Sequence, residues 1–142
     1  MPCPFCMIAK HKLPATVIYE NKAVIAFLDK NPVSQYHTLI VPKTHYKDIY
    51  EIDNDSLKDI SVTAKKIASA YKKTLKIKAV NLLNASGKAA QQSVFHFHLH
   101  LVPRRENDGL DLWFESKSRA GKTPGIDPIV LDKLKAELKN KQ

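Results

Sequence analysis

Apolar and polar residues alternate without a break over the stretch 95–101. Phe95, Phe97, Leu99 and Leu101 take the odd positions and His96, His98 and His100 the even ones. A period of two belongs to a strand with unlike faces, here one of imidazole and one for the core. Such a strand would set the three rings in a row, each about 6.5–7 Å from the next. Pro103 removes a ladder donor and is expected to end the strand, with Arg104 and Arg105 at its mouth.

Upstream, Ala15 to Tyr19 and Ala23 to Leu28 read as two strands of a hairpin turned at Glu20-Asn21-Lys22. Thr38 to Val41 reads as a third strand stopped by Pro42, and Ala79 to Leu83 as a fourth. Between the last two, Leu57, Ile60, Ala64, Ile67, Ala68, Tyr71 and Leu75 recur at spacings of three and four. That stripe predicts a packing helix, capped by Asn54 or Asp55 and running to about Thr74. Residues 106–127 carry Gly109, Gly121, Pro124 and Gly125 and read as a loop, in which Trp113 and Phe114 stand out. Asp127-Pro128 then opens a C-terminal helix to about Lys139, with Ile129, Leu131, Leu134 and Leu138 apolar. Several strands, one long helix after the third and no βαβ rhythm predict an α+β domain with an antiparallel sheet. Residues 1–105 form its core and 106–142 a C-terminal loop and helix of the same domain.

A chain of 142 residues, 44% of them hydrophobic, suits one domain able to bury a core without disulfides. No apolar run approaches 18 residues and no signal peptide precedes the domain, so no membrane span is expected and the cytoplasm is the default setting. The net charge of +9 raises the question of nucleic acid, since Lys65, Lys66, Lys72, Lys73, Lys76 and Lys78 cluster. These lysines lie on the polar side of the helical stripe without the stacking aromatics of a single-strand platform, so a solvated face is expected and nucleic acid is not. The charge still favours anionic, phosphate-bearing ligands.

Three alternating imidazoles admit more than one chemistry. They could be a solvated polar face, ligands of a shared zinc or iron ion, or a nucleophile with helpers whose tautomer is held by an acceptor. Cys3 and Cys6, the only cysteines, have the spacing of half a tetrahedral zinc site, or are a pair of buried free thiols. Asp29 follows a strand and precedes Asn31-Pro32, where its carboxylate could accept both hydroxyls of a ribose or simply close a turn.

The run His96-Phe97-His98-Leu99-His100-Leu101-Val102 resembles the signature of the histidine triad (HIT) family of nucleotide hydrolases and transferases. Cys3-x-x-Cys6, the block Ala26–Asp29 with Asn31-Pro32-Val33, and the block His37–His45 resemble its other blocks in order and separation. The resemblance covers residues 3 to about 104. It implies a HIT-like sheet of about five strands with one long helix, paired in a homodimer, and a purine nucleotide as ligand. It implies that His98 attacks the α-phosphorus of a nucleoside 5′-phosphoramidate, or a similar adenylylated compound, to give a nucleotidyl-imidazole that water then releases. His100, His37 and Ser93 would stabilise phosphoryl charge, with the Ser93 hydroxyl passing a proton to the leaving group. Asp29 would hold ribose, with Phe27 and Ile8 as walls for the base or as plain core.

In zinc-bearing members the cysteine pair is completed by residues that correspond to His45 and His96, which implies structural zinc at Cys3, Cys6, His45 and His96. The chemistry itself would need no metal. The loop 84–93 would bind phosphate through Gln92 and Asn84, or through Ser86 in place of Asn84. It departs from the family where Gln91 replaces a glycine and Ala85 an amide residue. Two other readings stay open, a dinucleoside polyphosphate hydrolase and a non-catalytic nucleotide- or zinc-binding module.

Overall fold

The structure is a computed structural model that describes residues 2–113 and 125–140. Its core is a five-stranded antiparallel sheet in the order β1-β2-β3-β5-β4. The strands are β1 (Val17–Glu20), β2 (Val24–Leu28), β3 (Thr38–Pro42), β4 (Ala79–Leu83) and β5 (Leu99–Arg104). Helix α1 (Pro4–Ala9) precedes them, α2 (Asn54–Leu75) joins β3 to β4, and α3 (Pro128–Asn140) ends the chain. The α+β class and antiparallel sheet expected from the pattern are the ones found.

The chain divides into two compact units, Met1–Leu110 and Asp111–Gln142. Within the second, Asp127 Oδ1 accepts the Ile129 amide at 2.9 Å at the start of α3. Phe114 and the middle of the expected 106–127 loop lie outside the described residues. Among the described residues, no helix is long and apolar enough to cross a membrane.

Two apolar clusters sandwich the sheet of the first unit. On one face, Ile60, Ala64, Ile67 and Tyr71 of α2 pack on Val24, Ala26, Ile40, Phe97 and Leu101. On the other, Phe5 and Ile8 of α1 pack on Ile25, Phe27, Leu39 and Val41. The strict alternation of β2 between the two clusters follows from the pleat. Burying both faces explains why β2 and β3 read as continuous apolar runs.

Several boundaries differ from those the pattern predicts. Asp53, not Asn54 or Asp55, caps α2, because its Oδ1 accepts the Ser56 amide at 2.7 Å. Strand β1 begins at Val17 and ends at Glu20, and Asn21 shapes the turn by accepting the amides of Ala23 and Val24 through Oδ1. Pro103 does not end β5, which runs on to Arg104 against β4. The pairing of β3 with β5 stops at Leu101, so one side of Pro103 has no ladder to lose. Helix α1, of six residues, and a 3-10 turn at Lys88–Ala90 are too short to show a helical period and were not expected.

The largest correction concerns the histidine stretch itself. Only His100 lies inside β5; residues 94–98 approach it as irregular chain. Side chains replace the ladder here. The carbonyls of Val94, His96 and His98 accept, respectively, Gln92 Nε2 at 3.1 Å, His98 Nδ1 at 2.7 Å and Asn84 Nδ2 at 2.9 Å. The Phe97 amide donates to the Tyr46 carbonyl at 2.6 Å. Freed from the pleat, Phe95 is 44% exposed and not core, while Phe97 is buried at 2%.

Candidate active site

Three main-chain groups determine how the buried imidazoles carry their protons. The carbonyl of Pro42 lies 2.8 Å from His96 Nε2 and can only accept, so the His96 proton is on Nε2 and its Nδ1 lone pair is bare. The carbonyl of His96 takes the proton of His98 Nδ1 at 2.7 Å, which leaves His98 Nε2 with a lone pair. The amide of Val33 can only donate, and it meets His37 Nδ1 at 3.2 Å. His37 therefore carries its proton on Nε2 and offers it to His100 Nδ1 at 2.9 Å, so that the proton of His100 stands on Nε2. Among His37, His98 and His100 the set presents one bare nitrogen, at His98, beside one N–H donor, at His100, while the bare Nδ1 of His96 faces Cys3 and Cys6. Their rings lie 4.9 Å apart, closer than a regular strand would hold them.

Burial keeps these rings neutral. His37 and His98 are 4% and 3% exposed, and burial lowers both below the ordinary histidine range, with Asp29 opposing in each case. His100 is pushed down to about 4, first by burial and then by the neighbouring His98 and His37. A neutral imidazole is the form that can attack phosphorus. Phe5 stands edge-on to His98 with ring centroids 5.1 Å apart, walling the ring from the α1 side.

Asp29 ends β2 beside this group, with Oδ2 3.6 Å from His37 Nε2 and Oδ1 accepting the Asn31 amide at 2.9 Å. The donor atoms of Asp29, His37 and His100 lie within 4.8 Å of one another. They form a hydrogen-bonded set and not a metal cage, because the His37 nitrogen that faces the other two carries the proton. Phe27 and Ile8 are both buried in the cluster beneath α1, at 3% and 7%.

The loop residues are placed less directly. Ser93 is exposed. Gln92 is buried, and its amide holds main chain: Oε1 accepts the Gly87 amide at 2.8 Å, and Nε2 donates to Lys47 and Val94 carbonyls at 2.7 and 3.1 Å. Asn84 donates to the His98 carbonyl. The family resemblance implies nucleotide contact for both residues, and spacing carries no signal for these main-chain roles. Gln91, at the glycine position of the resembled family, adopts φ 67°, the left-handed region. The backbone shape that favours glycine is thus kept with a side chain present.

A second cluster forms on the far side of His96. Cys3 Sγ and Cys6 Sγ lie 3.4 and 3.5 Å from His96 Nδ1, Cys6 Sγ lies 3.3 Å from His45 Nδ1, and the two Nδ1 atoms are 3.1 Å apart. A tetrahedral zinc ion with bonds of about 2.3 Å to sulfur and 2.0–2.1 Å to nitrogen needs edges of about 3.3 Å between nitrogens and about 3.5 Å between nitrogen and sulfur, within about 0.2 Å of the separations found. The set fits. The nitrogen of His96 that faces it is the bare one, and the Pro42 carbonyl behind the ring is the outer partner that zinc-bound histidines use. Burial, with Cys3 alongside, raises the Cys6 thiol, and a bound cation would hold that sulfur as a thiolate.

An antiparallel sheet of this order, carrying alternate histidines beside a Cys/His cluster, defines a class, and the comparisons agree on it. The family model for the HIT domain matches residues 10–107, and the chain belongs to the HIT family. An uncharacterized HIT-like protein of Methanocaldococcus jannaschii is 39% identical over 96% of this chain and 98% of its own. The adenosine 5′-monophosphoramidase of Saccharomyces cerevisiae is 39% identical over 76% of this chain and 66% of its own. Among solved structures, a Zn-bound histidine triad family protein from Mycobacterium smegmatis superposes with a TM-score of 0.75 at 32% identity, covering 100% of this chain and 99% of that one.

Proposed function

We propose that this protein is a nucleotide hydrolase that cleaves the phosphorus–nitrogen bond of purine nucleoside 5′-phosphoramidates, or similar adenylylated compounds, through a covalent intermediate on His98. One observation carries the reading: the His98 ring is oriented, with Nδ1–H held by the His96 carbonyl and Nε2 bare, and burial favours its neutral form. Kinship with the yeast adenosine 5′-monophosphoramidase supports the substrate class.

In the first step, His98 Nε2 bonds to the α-phosphorus and the P–N bond breaks. The departing amine takes a proton from the Ser93 hydroxyl. In the second, water attacks the same phosphorus and returns a proton to Ser93 Oγ, the Nε2–P bond breaks and the mononucleotide leaves. His100 donates Nε2–H to a phosphoryl oxygen, and His37 keeps it a donor by filling Nδ1. Asp29 accepts the ribose hydroxyls, and Phe27 and Ile8 flank the base. Gln92 and Asn84 hold the phosphate loop and the nucleophile around the nucleotide.

Cys3, Cys6, His45 and His96 would hold structural zinc. The ion supplies cross-linking of the N-terminal segment to the histidine stretch, and all four positions are protein ligands, so it offers substrate no open place. A reducing, cytoplasmic setting suits two cysteines kept as thiols. A homodimer fits the edge position of β4, where Leu82 and Leu83 are 49% and 41% exposed.

The test compares wild type with His98→Ala on adenosine 5′-phosphoramidate and on a diadenosine polyphosphate. The reading expects faster turnover of the phosphoramidate and none in the variant, with AMP binding retained. Turnover by the variant at the wild-type rate would remove His98 as the nucleophile, and preference for the polyphosphate would reassign the substrate.

A further inference from the structure

His98 is held at its ring by the His96 carbonyl, and its own carbonyl is held by a second, separate set of side chains. Asn84 Nδ2 lies 2.9 Å from that carbonyl, Ser86 Oγ lies 2.7 Å from Asn84 Oδ1, and the Ile49 amide lies 2.9 Å from Ser86 Oγ. The two ends of this chain fix its polarity. An amide N–H at Ile49 can only donate and a carbonyl at His98 can only accept. The Ser86 hydroxyl must therefore accept from Ile49 and donate to Asn84, and the Asn84 carboxamide must turn its NH₂ to His98. Without the Ser86 hydroxyl, Asn84 Oδ1 loses its donor and the His98 carbonyl alone is left to orient that carboxamide.

The anchor is itself rigid. Asp48 Oδ1 accepts the amides of Tyr50 and Glu51 at 3.0 and 3.2 Å, closing a turn that presents the Ile49 N–H. The same segment grips the site twice more. Its Lys47 carbonyl takes Gln92 Nε2 at 2.7 Å, and its Tyr46 carbonyl takes the Phe97 amide at 2.6 Å.

We propose that Asn84 and Ser86 are positioning residues for the nucleophile: Ser86, anchored on Ile49, orients the Asn84 carboxamide to clamp the His98 carbonyl, so that both act on turnover through His98. The inference rests on the hydrolase reading for its kinetic consequence and on geometry alone for its hydrogen bonds. A ring carried on a displaced carbonyl misses its line of attack, and an error of about 1 Å at a reacting group lowers turnover by up to about a hundredfold.

The test measures steady-state hydrolysis of adenosine 5′-phosphoramidate and AMP affinity for Ser86→Ala, Ser86→Thr, Asn84→Ala and Asn84→Asp, each checked for an intact thermal transition. In folded isotope-labelled protein, the carbonyl ¹³C resonance of His98 is followed by NMR. Ser86→Ala should lower kcat roughly tenfold with KM and AMP affinity within about twofold. Threonine, which keeps the hydroxyl, should restore it, and Asn84→Asp should be worse than Asn84→Ala because a carboxylate then faces the carbonyl.

The His98 carbonyl resonance should move in Ser86→Ala and both Asn84 variants and stay in Ser86→Thr. An unmoved resonance, or an effect of Ser86→Ala confined to KM, overturns the clamp. Wild type inert toward the phosphoramidate, with the resonance shifts present, overturns the hydrolase reading and leaves the clamp standing.

Discussion

Replacing Cys6 by serine should remove a large part of this protein's thermal stability if the Cys3, Cys6, His45 and His96 cluster holds zinc as proposed, and the size follows from that binding. Cys6 Sγ faces both His45 Nδ1 and His96 Nδ1, at 3.3 and 3.5 Å, so its loss opens the donor set at the centre. A ligand bound by the folded state alone stabilises it by RT ln(1 + [L]/Kd), about 4 kcal/mol when free zinc stands a thousandfold above Kd. For a chain of this length each kcal/mol moves the midpoint by about 3–4 °C, so the expected fall is about 12–16 °C. The assay is thermal unfolding of wild type and Cys6→Ser, with and without chelator, beside metal analysis of the purified proteins. Wild type should carry one zinc per chain and lose the same 12–16 °C or so in chelator, while the variant should ignore it. Zinc-free wild type whose midpoint does not respond to added zinc or to chelator would refute the reasoning.

Other expectations follow from particular side chains. In metal-free protein, the unfolded chain takes up protons at His37 and His100 near pH 6.5, whereas the folded chain resists until His100 titrates at about 4. The groups facing this pair are Asp29 and His98, and the stability present above about pH 6.5 should be lost as pH falls toward 4. A midpoint that rises on acidification would contradict it. Ile60→Ala, at a side chain with 0% exposure in the α2 cluster, should cost about 2–5 kcal/mol in denaturant unfolding. Val62→Ala, 68% exposed two residues away, should stay within about 0.5 kcal/mol. Asp53→Ala removes the α2 cap and should cost about 1 kcal/mol, a loss that Asn54→Ala should not share.

Much of the fold was legible because burial imposes a period. The stripe from Leu57 to Leu75 marked α2 to within a residue of its observed end, and the apolar run from Ala23 to Leu28 marked a strand, which the structure buries on both faces. Alternation over residues 95–101 placed the imidazoles and the core side chains Phe97 and Leu101 on opposite sides. What alternation could not reveal is that the backbone leaves the ladder at residues 94–98, because the side chains of Gln92 and His98, two residues away, and of Asn84, fourteen residues away, satisfy its carbonyls. For the same reason spacing marked Gln92 and Asn84 as polar loop residues without showing that their amides hold main chain. Cys3 and Cys6 showed half a ligand set; His45 and His96 joined it only through the family resemblance, and their approach to within 3.1 Å depends on long-range packing. The cap at Asp53 was missed by one residue because Asp53, Asn54 and Asp55 are all competent caps, and only geometry selects among them.

The proton arrangement set by Pro42, His96 and Val33 leaves a single bare imidazole nitrogen on the substrate side, at His98. Rapid mixing of wild type with adenosine 5′-phosphoramidate, acid or base quench, and mass mapping of the digested protein tests that directly. The account predicts one nucleotidyl group, acid-labile and base-stable, on the peptide carrying His98 and absent from His98→Ala. A nucleotidyl group on His100, His37 or Ser93, or turnover with no protein-bound nucleotide at any mixing time, would contradict it.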